Sequence, residues 1–326
     1  MPGDGGKRPQ KRTKQPKEMV SKEDLLLLKQ QKNALVLAHY YTLPEVQEVA
    51  DFVGDSLGLS QKAAQTDADI ILFAGVHFMA ETAKILNPGK KVLVPDMDAG
   101  CSLADGCAAE DLKEFMRDYP GYKVLAYINC SAEVKTMADI IVTSGNALHI
   151  VNALPKDEKI VFVPDRNLGD YINRQTGRQM VLWHGDCCVH ARWNAAMVRR
   201  LKEAHPQAAV VAHPECRREV LELADFVGST AAMLNHVQSS EKNEFVVITE
   251  NGILHEMRKR NPGKTFYSAD DEKACICRSM KKNNLENMYR VLADERPELL
   301  LDEETIAKAR LPIQRMLSMS QSLRRG

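Results

Sequence analysis

Eight cysteines stand in a chain of 326 residues: Cys101, Cys107, Cys130, Cys187, Cys188, Cys216, Cys275 and Cys277. Three of them keep a period. Cys101 and Cys187 are 86 residues apart, and Cys187 precedes Cys275 by 88 and Cys277 by 90. One thiol per repeat, brought to a common point, builds a three-cysteine metal site, and soft thiolates suit zinc or an iron–sulfur cluster. A four-iron cluster normally takes four cysteines. Three leave one position open for a substrate, where the metal works as a Lewis acid. A catalytic zinc offers the same opening, so spacing alone leaves the metal undecided. The N-terminus lacks the apolar core of a signal peptide, which predicts a cytoplasmic protein with reduced thiols and no disulfides.

Other reactive side chains recur at the same interval. The run Val36-Leu37-Ala38-His39-Tyr40-Tyr41 aligns with Val124-Leu125-Ala126-Tyr127-Ile128-Asn129 and with Val210-Val211-Ala212-His213-Pro214-Glu215. This places His39, Tyr127 and His213 at one equivalent position, and Tyr41, Asn129 and Glu215 at another. Ser56, Ser144 and Thr230 form a third set, each preceding or beginning a helical stretch. A hydroxyl at a helix start is commonly an N-cap. Three at equivalent positions instead predict a carboxylate or phosphate site.

The elements that must carry these residues form a repeat. Ala50-Asp51-Phe52-Val53-Gly54 returns as Ala224-Asp225-Phe226-Val227-Gly228, and Asn87-Pro88-Gly89-Lys90 as Asn261-Pro262-Gly263-Lys264, both at an offset of 174. The middle copy lies at half that distance. Each copy opens on a short apolar run (Leu35–Ala38, Val124–Ala126, Val210–Ala212), followed by a helix. Pro44 sits near one helix start and Ser131 is an N-cap at another. Ile70–Ala74, Val92–Val94, Ile160–Val163 and Phe245–Ile248 read as further strands, and His77–Leu86 as a helix. Short apolar strands alternating with helices predict an α/β fold of parallel sheets covered on both faces. Such sheets bind ligands beyond the carboxyl ends of their strands. The expected organisation is a basic tail at 1–22, α/β repeats at 23–116, 117–203 and 204–290, related by a pseudo-threefold, and a helical segment at 291–326. In that last segment Ile306, Leu311, Ile313 and Leu317 are the expected packing face.

Composition narrows the classes further. With 44 basic and 44 acidic residues the formal net charge is zero, which argues against a surface built to grip nucleic acid or an anionic membrane. No apolar run approaches the ~20 residues a membrane span needs. Residues 1–18 carry a net charge of +4 and none of Leu, Ile, Val or an aromatic, which reads as a solvated, disordered tail.

These residues resemble the quinolinate synthase family, iron–sulfur enzymes of de novo NAD biosynthesis. The resemblance spans residues 24–290. It includes His39-Tyr40-Tyr41, Gly54-Asp55-Ser56-Leu57, Gly75 to Thr82, Ala99-Gly100-Cys101-Ser102, Tyr127-Ile128-Asn129, Ser131 to Lys135, Cys187 with Val189-His190, His213-Pro214-Glu215-Cys216, Gly228-Ser229-Thr230, Thr249-Glu250 and Met280-Lys281. It implies three pseudo-symmetric α/β domains around a [4Fe–4S] cluster held by Cys101, Cys187 and Cys277. The repeat offset maps Cys101 onto Cys275, whereas the family's Cys-x-x-Met-Lys motif selects Cys277. The implied reaction condenses iminoaspartate with dihydroxyacetone phosphate to quinolinate, phosphate and water. An aspartate-oxidising enzyme is the expected source of the imine. The implied substrate residues are His39, Ser56, Tyr127, Ile128, Asn129, Ser144, His190, His213, Pro214, Glu215 and Thr230. Glu215, His213, Tyr41 and Tyr127 are the expected acid–base and oxyanion groups. Radical enzymes of the diphthamide pathway share the three-domain, three-cysteine plan, but the substrate motifs favour quinolinate synthase. A non-catalytic iron–sulfur sensor or a nucleic-acid binder using the basic tail is the remaining reading.

Overall fold

A computed structural model describes residues 20–269 and 275–321. The basic tail up to residue 19 and Leu323 lie outside the described residues. The first unit runs α1 (Lys22–Gln31), β1 (Ala34–His39), α2 (Pro44–Val49), β2 (Phe52–Gly54), α3 (Ser56–Ala63), β3 (Ile70–Ala74), α4 (His77–Leu86) and β4 (Lys91–Leu93). After α5 (Ser102–Asp105) and α6 (Ala109–Phe115), the pattern returns as β5 (Lys123–Tyr127), α7 (Ala132–Met137), β6 (Ile140–Val142), α8 (Ala147–Ala153), β7 (Ile160–Val163), α9 (Arg166–Thr176) and β8 (Val181–Leu182). Following α10 (Ala195–Ala204), it returns again as β9 (Ala209–Ala212), α11 (Arg218–Leu221), β10 (Phe226–Val227), α12 (Thr230–Ser239), β11 (Glu244–Ile248), α13 (Ile253–Arg260) and β12 (Thr265–Tyr267). Helices α14 (Leu285–Asp294) and α15 (Glu303–Met319) complete the described chain. The strands form three four-stranded parallel sheets with one order, β2-β1-β3-β4, β6-β5-β7-β8 and β10-β9-β11-β12. The expected α/β class is borne out.

The recurring sequence motifs have local causes. In each sheet the Asp of the Ala-Asp segment exchanges two hydrogen bonds with the first strand. Val36, Val124 and Val210 donate their N–H to Asp51, Asp139 and Asp225 at 2.7–2.8 Å. The Asp N–H groups return to the carbonyls of the same three valines. This clamp fixes where the second strand begins. Gly54 and Gly228 follow Phe52 and Phe226 because a Cβ at either would strike that ring at 2.6 or 2.8 Å. The middle copy, Ile140-Ile141-Val142, has no Phe and needs no Gly. In the Asn-Pro-Gly-Lys turns, Lys90 Nζ binds the carbonyls of Thr66 and Ala68 and Lys264 Nζ those of Val237 and Ser240. Lys264 thereby satisfies carbonyls left open at the end of α12, and Lys90 those of the turn between α3 and β3.

Each unit also lends a helix to the next. Helix α10 leaves the second sheet and packs Val198 and Leu201 on Val210 and Ile248 of the third. Helix α14 leaves the third sheet and packs Met288, Val291 and Leu292 on Val36 and Leu72 of the first. The connection is cinched where α14 ends. Glu295, at a φ of 52°, pairs with Lys32 after α1 at 2.6 Å and with Lys91 of β4. Hydrogen bonds from Lys32, then Lys91, hold its carboxyl down at about 2. A depressed carboxylate stabilises the fold above its unfolded value of about 4.5, and that stability is lost as the pH falls toward the folded value. Glu295→Gln should therefore melt earlier than wild type by a constant margin from pH 8 to 5, with the margin narrowing below about 4.5. A margin that widens in acid would remove the pair from this role.

The last helix departs from its expected face. Ile313 is buried and Leu317 packs partly buried against the core, but Leu311 is 57% exposed, and Ala309, Pro312 and Met316 complete the interface. Ala and Pro carry little weight in a hydrophobic count, so periodicity missed Ala309 and Pro312.

Candidate functional site

The carboxyl ends of β1, β5 and β9 open into one cavity of about 170 Å³. Residues from all three sequence copies line it. His39 and Tyr127 end their strands and His213 follows β9 by one residue. Tyr41, Asn129 and Glu215, two residues on in each copy, line the same space, as do Ser56, Ser144 and Thr230. His190, Cys101, Cys187 and Cys277 are also on its wall. Ile128 and Pro214 are buried and do not line it: along an extended strand end, alternate residues face away.

The hydroxyl set is not consumed by capping. Asp55 caps α3, Asn146 precedes α8 and Ser229 caps α12. Ser56 and Thr230 occupy the first helical position and Ser144 lies three residues before α8, leaving these hydroxyls for the cavity. Asn129 Oδ1 is buried there without a hydrogen-bond partner. A buried acceptor of that kind calls for a ligand donor.

His39 and His213 share a local device. The Nδ1 of each accepts the backbone N–H two residues on, from Tyr41 at 3.1 Å and from Glu215 at 3.4 Å. Nδ1 is therefore the acceptor and Nε2 carries the proton. His213 Nε2 meets Ser144 Oγ at 3.2 Å. Burial pushes both rings down to about 3, so each is a neutral N–H donor near pH 7.

Glu215 is the electrostatic centre. Its Oε1 accepts from Tyr127 OH at 2.5 Å and its Oε2 lies 2.7 Å from His190 Nδ1. Burial alone would raise this carboxyl, but the His190 and His213 rings and the bonds from His190 and Tyr127 more than offset it and leave it lowered. Since His213 is uncharged near pH 7, the donors that hold the carboxylate there are His190 N–H and Tyr127 O–H. Burial keeps Tyr41 and Tyr127 far above the usual phenol value, with Glu215 adding to it. The site thus presents one carboxylate and two intact phenols.

The three periodic thiols have matching surroundings. The backbone N–H of Ala104, His190 and Met280 is hydrogen-bonded to the sulfur three residues earlier, Cys101, Cys187 and Cys277 respectively. Such amides stabilise thiolate and raise no steric barrier to a ligand. Burial otherwise pushes the thiols up, to about 12 for Cys101 and about 11 for Cys277. Cys275 instead packs fully buried with Trp193 and Cys216 in the core of the third sheet. The 90-residue offset has a structural basis: the short turns at His190–Arg192 and Met280–Lys282, and the caps Asn194 and Asn284, repeat at 90. Cys188 also reaches the cavity and is exposed. Donor atoms of Cys187, His190 and Glu215 all lie within 4.8 Å of one another, a group able to hold a metal ion.

Several cavity residues carried no role in the sequence. Arg192 and Arg278 are exposed and line the cavity, giving positive charge against anionic ligands. Glu250 takes the backbone N–H of Cys277 at 3.1 Å and pairs at 3.0 Å with Lys281, which donates to Tyr41 O at 2.6 Å. Gly252 allows this packing, since a Cβ there would meet Tyr41 Cα at 2.7 Å. The adjacency of Thr249-Glu250 and of Met280-Lys281 was the available signal, but only the fold brings the two together. Among the described residues no helix is long and apolar enough to cross a membrane.

Comparison with known proteins agrees with this arrangement. The family model for NadA, quinolinate synthetase A protein, matches residues 23–318. Quinolinate synthase of Microcystis aeruginosa (strain NIES-843 / IAM M-2473) is 54% identical over 296 residues, covering 90% of this chain and 93% of the relative. Those of Synechocystis sp. (strain ATCC 27184 / PCC 6803 / Kazusa) and Thermosynechococcus vestitus (strain NIES-2133 / IAM M-273 / BP-1) are 53% and 54% identical, each with 90% of this chain and 93% of the relative covered. With a family match across nearly the whole described chain and relatives above half identity, this chain belongs to the quinolinate synthetase A protein (NadA) family.

Proposed function

We propose that this enzyme condenses iminoaspartate with dihydroxyacetone phosphate to give quinolinate, phosphate and water, in the de novo route to NAD. The reading is supported chiefly by one observation: thiols from three sequence copies line one cavity, each with a backbone amide three residues on. Three soft donors in matching surroundings, one from each sequence copy, fit a [4Fe–4S] cluster with one open iron, and Cys101, Cys187 and Cys277 would hold it. Bound there, such a group supplies a Lewis acid for a substrate carboxylate or hydroxyl.

The chain's own residues do the rest. Ser56, Ser144 and Thr230, with the exposed Arg192 and Arg278, suit carboxylates and a phosphate. His39 offers a neutral N–H group to a substrate oxygen, and the His213 N–H meets Ser144 Oγ and orients that hydroxyl. The Tyr127–Glu215 pair moves a proton in one stroke: Tyr127 oxygen takes a proton from substrate while its own passes to the carboxylate. Because iminoaspartate is unstable in water, an aspartate-oxidising enzyme must supply it nearby. A cytoplasmic setting, where thiols stay reduced, suits such a metal site.

Anaerobically purified enzyme with its metal bound should form quinolinate only when both substrates are present, with phosphate released in step. Fully metallated enzyme that consumes neither substrate would defeat the reading.

A further inference from the structure

Thr249 ends the third sheet's strand β11 by one residue, is 1% exposed, and does not itself line the cavity. Its hydroxyl lies 2.6 Å from Tyr41 OH and 2.8 Å from His190 Nε2. On the far side of the imidazole, Nδ1 faces Glu215 Oε2 at 2.7 Å and Cys187 Sγ at 3.2 Å. The carboxylate only accepts, so Nδ1 holds a proton, and a ring with a single proton presents a lone pair at Nε2. Thr249 must then donate to Nε2, which leaves its oxygen to accept from Tyr41. Glu215 Oε1 accepts from Tyr127. The direction of every bond follows: Tyr41 to Thr249 to His190 to Glu215, met from the other side by Tyr127. One unbroken chain joins the phenols of two sequence copies through residues of the third sheet and the loop after the second.

We propose that Thr249 is a positioning residue for the reaction, whose hydroxyl sets the His190 ring and the direction of the Tyr41 O–H. Its consequence is chemical. Both tyrosine protons are committed within the chain, to Thr249 and to Glu215, so each phenol oxygen is left with lone pairs for a ligand. The substrate group seated between them is a hydrogen-bond donor, an N–H or O–H, and not a carbonyl or carboxylate oxygen. This inverts the expectation that Tyr41 donates to an oxyanion, at least in the resting site. It rests on the proposed synthase reading for which reaction is served, but not for the bond directions.

Thr249→Val keeps the shape and removes the hydroxyl, leaving Tyr41 OH and His190 Nε2 without their shared partner in a buried setting. Misplacing a reacting group by about 1 Å costs roughly 100-fold. The expected result is a kcat lowered about 100-fold with KM within roughly threefold, since ground-state contacts are intact. The metal chromophore should stay near wild type, while the two buried groups left unpaired should lower the melting temperature modestly. Thr249→Ser, which restores the hydroxyl without the methyl, should return kcat to within roughly threefold of wild type. Wild-type kcat in Thr249→Val, or equal losses in both variants, would overturn the assignment. Neutron diffraction from the metal-loaded enzyme separates this inference from its parent, because it needs no turnover. Deuterium on His190 Nδ1 and none on Nε2 supports the chain even if quinolinate is not the product; a deuteron on Nε2 directed at Thr249 overturns it.

Discussion

Glu215→Gln should lower kcat about 1,000-fold while leaving the visible absorption of the bound metal group unchanged. General acid–base groups contribute roughly 100- to 10,000-fold, and two consequences act together here. The first is loss of the proton acceptor for Tyr127, whose hydroxyl meets Oε1 at 2.5 Å. The second is geometric. Both carboxylate oxygens accept, one from Tyr127 and one from His190. A Gln amide must place an NH2 against one of these donors, so a buried bond is lost and a polar contact turns repulsive. None of the three periodic thiols depends on Glu215 for its backbone amide bond, which is why the chromophore should survive. Glu215→Asp keeps the charge but is one methylene shorter and reaches only one of the two donors. Its kcat should fall between the Gln variant and wild type. Turnover in the Gln variant within about tenfold of wild type would remove Glu215 from the proton path.

Cys277→Ser should abolish the brown chromophore and all measurable activity, whereas Cys275→Ser should keep both. A serine oxygen is a hard donor and a poor substitute for a soft thiolate on iron, and losing one ligand of three leaves too few to hold the group. The contrast with Cys275 is decided by surroundings. Cys277 lines the cavity and its sulfur receives the Met280 amide. Cys275 is fully buried against Trp193 and Cys216, away from the cavity walls. Its replacement should cost stability through a buried hydroxyl, of order 1–3 kcal/mol, read as a lower melting temperature with the absorption spectrum intact. Loss of the chromophore in Cys275→Ser and its retention in Cys277→Ser would reverse the ligand choice.

The parts of this molecule that were legible in its sequence are those with a repeated local cause. Asp51, Asp139 and Asp225 recur because each clamps the first strand of a sheet by the same pair of hydrogen bonds, so the offset of 174 exposes the architecture. The first strands were legible because they are buried on both faces and read as apolar runs. Strands β2, β6 and β10 escaped notice as strands because two or three residues carry no period. The cysteine register was ambiguous for a similar reason. An offset measured over Ala-Asp segments ignores the longer connection before Cys277, and only the paired turns at His190 and Met280 restore it. Thr249 and Glu250 were visible as a motif but not as a function, because their partners Tyr41 and Lys281 are 208 and 31 residues away in the chain. A single sequence does not say which distant hydroxyl completes which ring. The exposed arginines at the cavity gave no signal at all, since neither repeats in the other copies.

The central claim is that three thiols, one from each sequence copy, hold a single metal group in the shared cavity. Anomalous diffraction at the iron edge from anaerobically grown crystals of the metal-loaded enzyme tests it most directly. The expected result is one compact iron peak bounded by the sulfurs of Cys101, Cys187 and Cys277, with His190 and Glu215 still hydrogen-bonded to each other and outside the coordination sphere. A peak ligated by Cys187, His190 and Glu215, the other donor set the fold brings together, would contradict it.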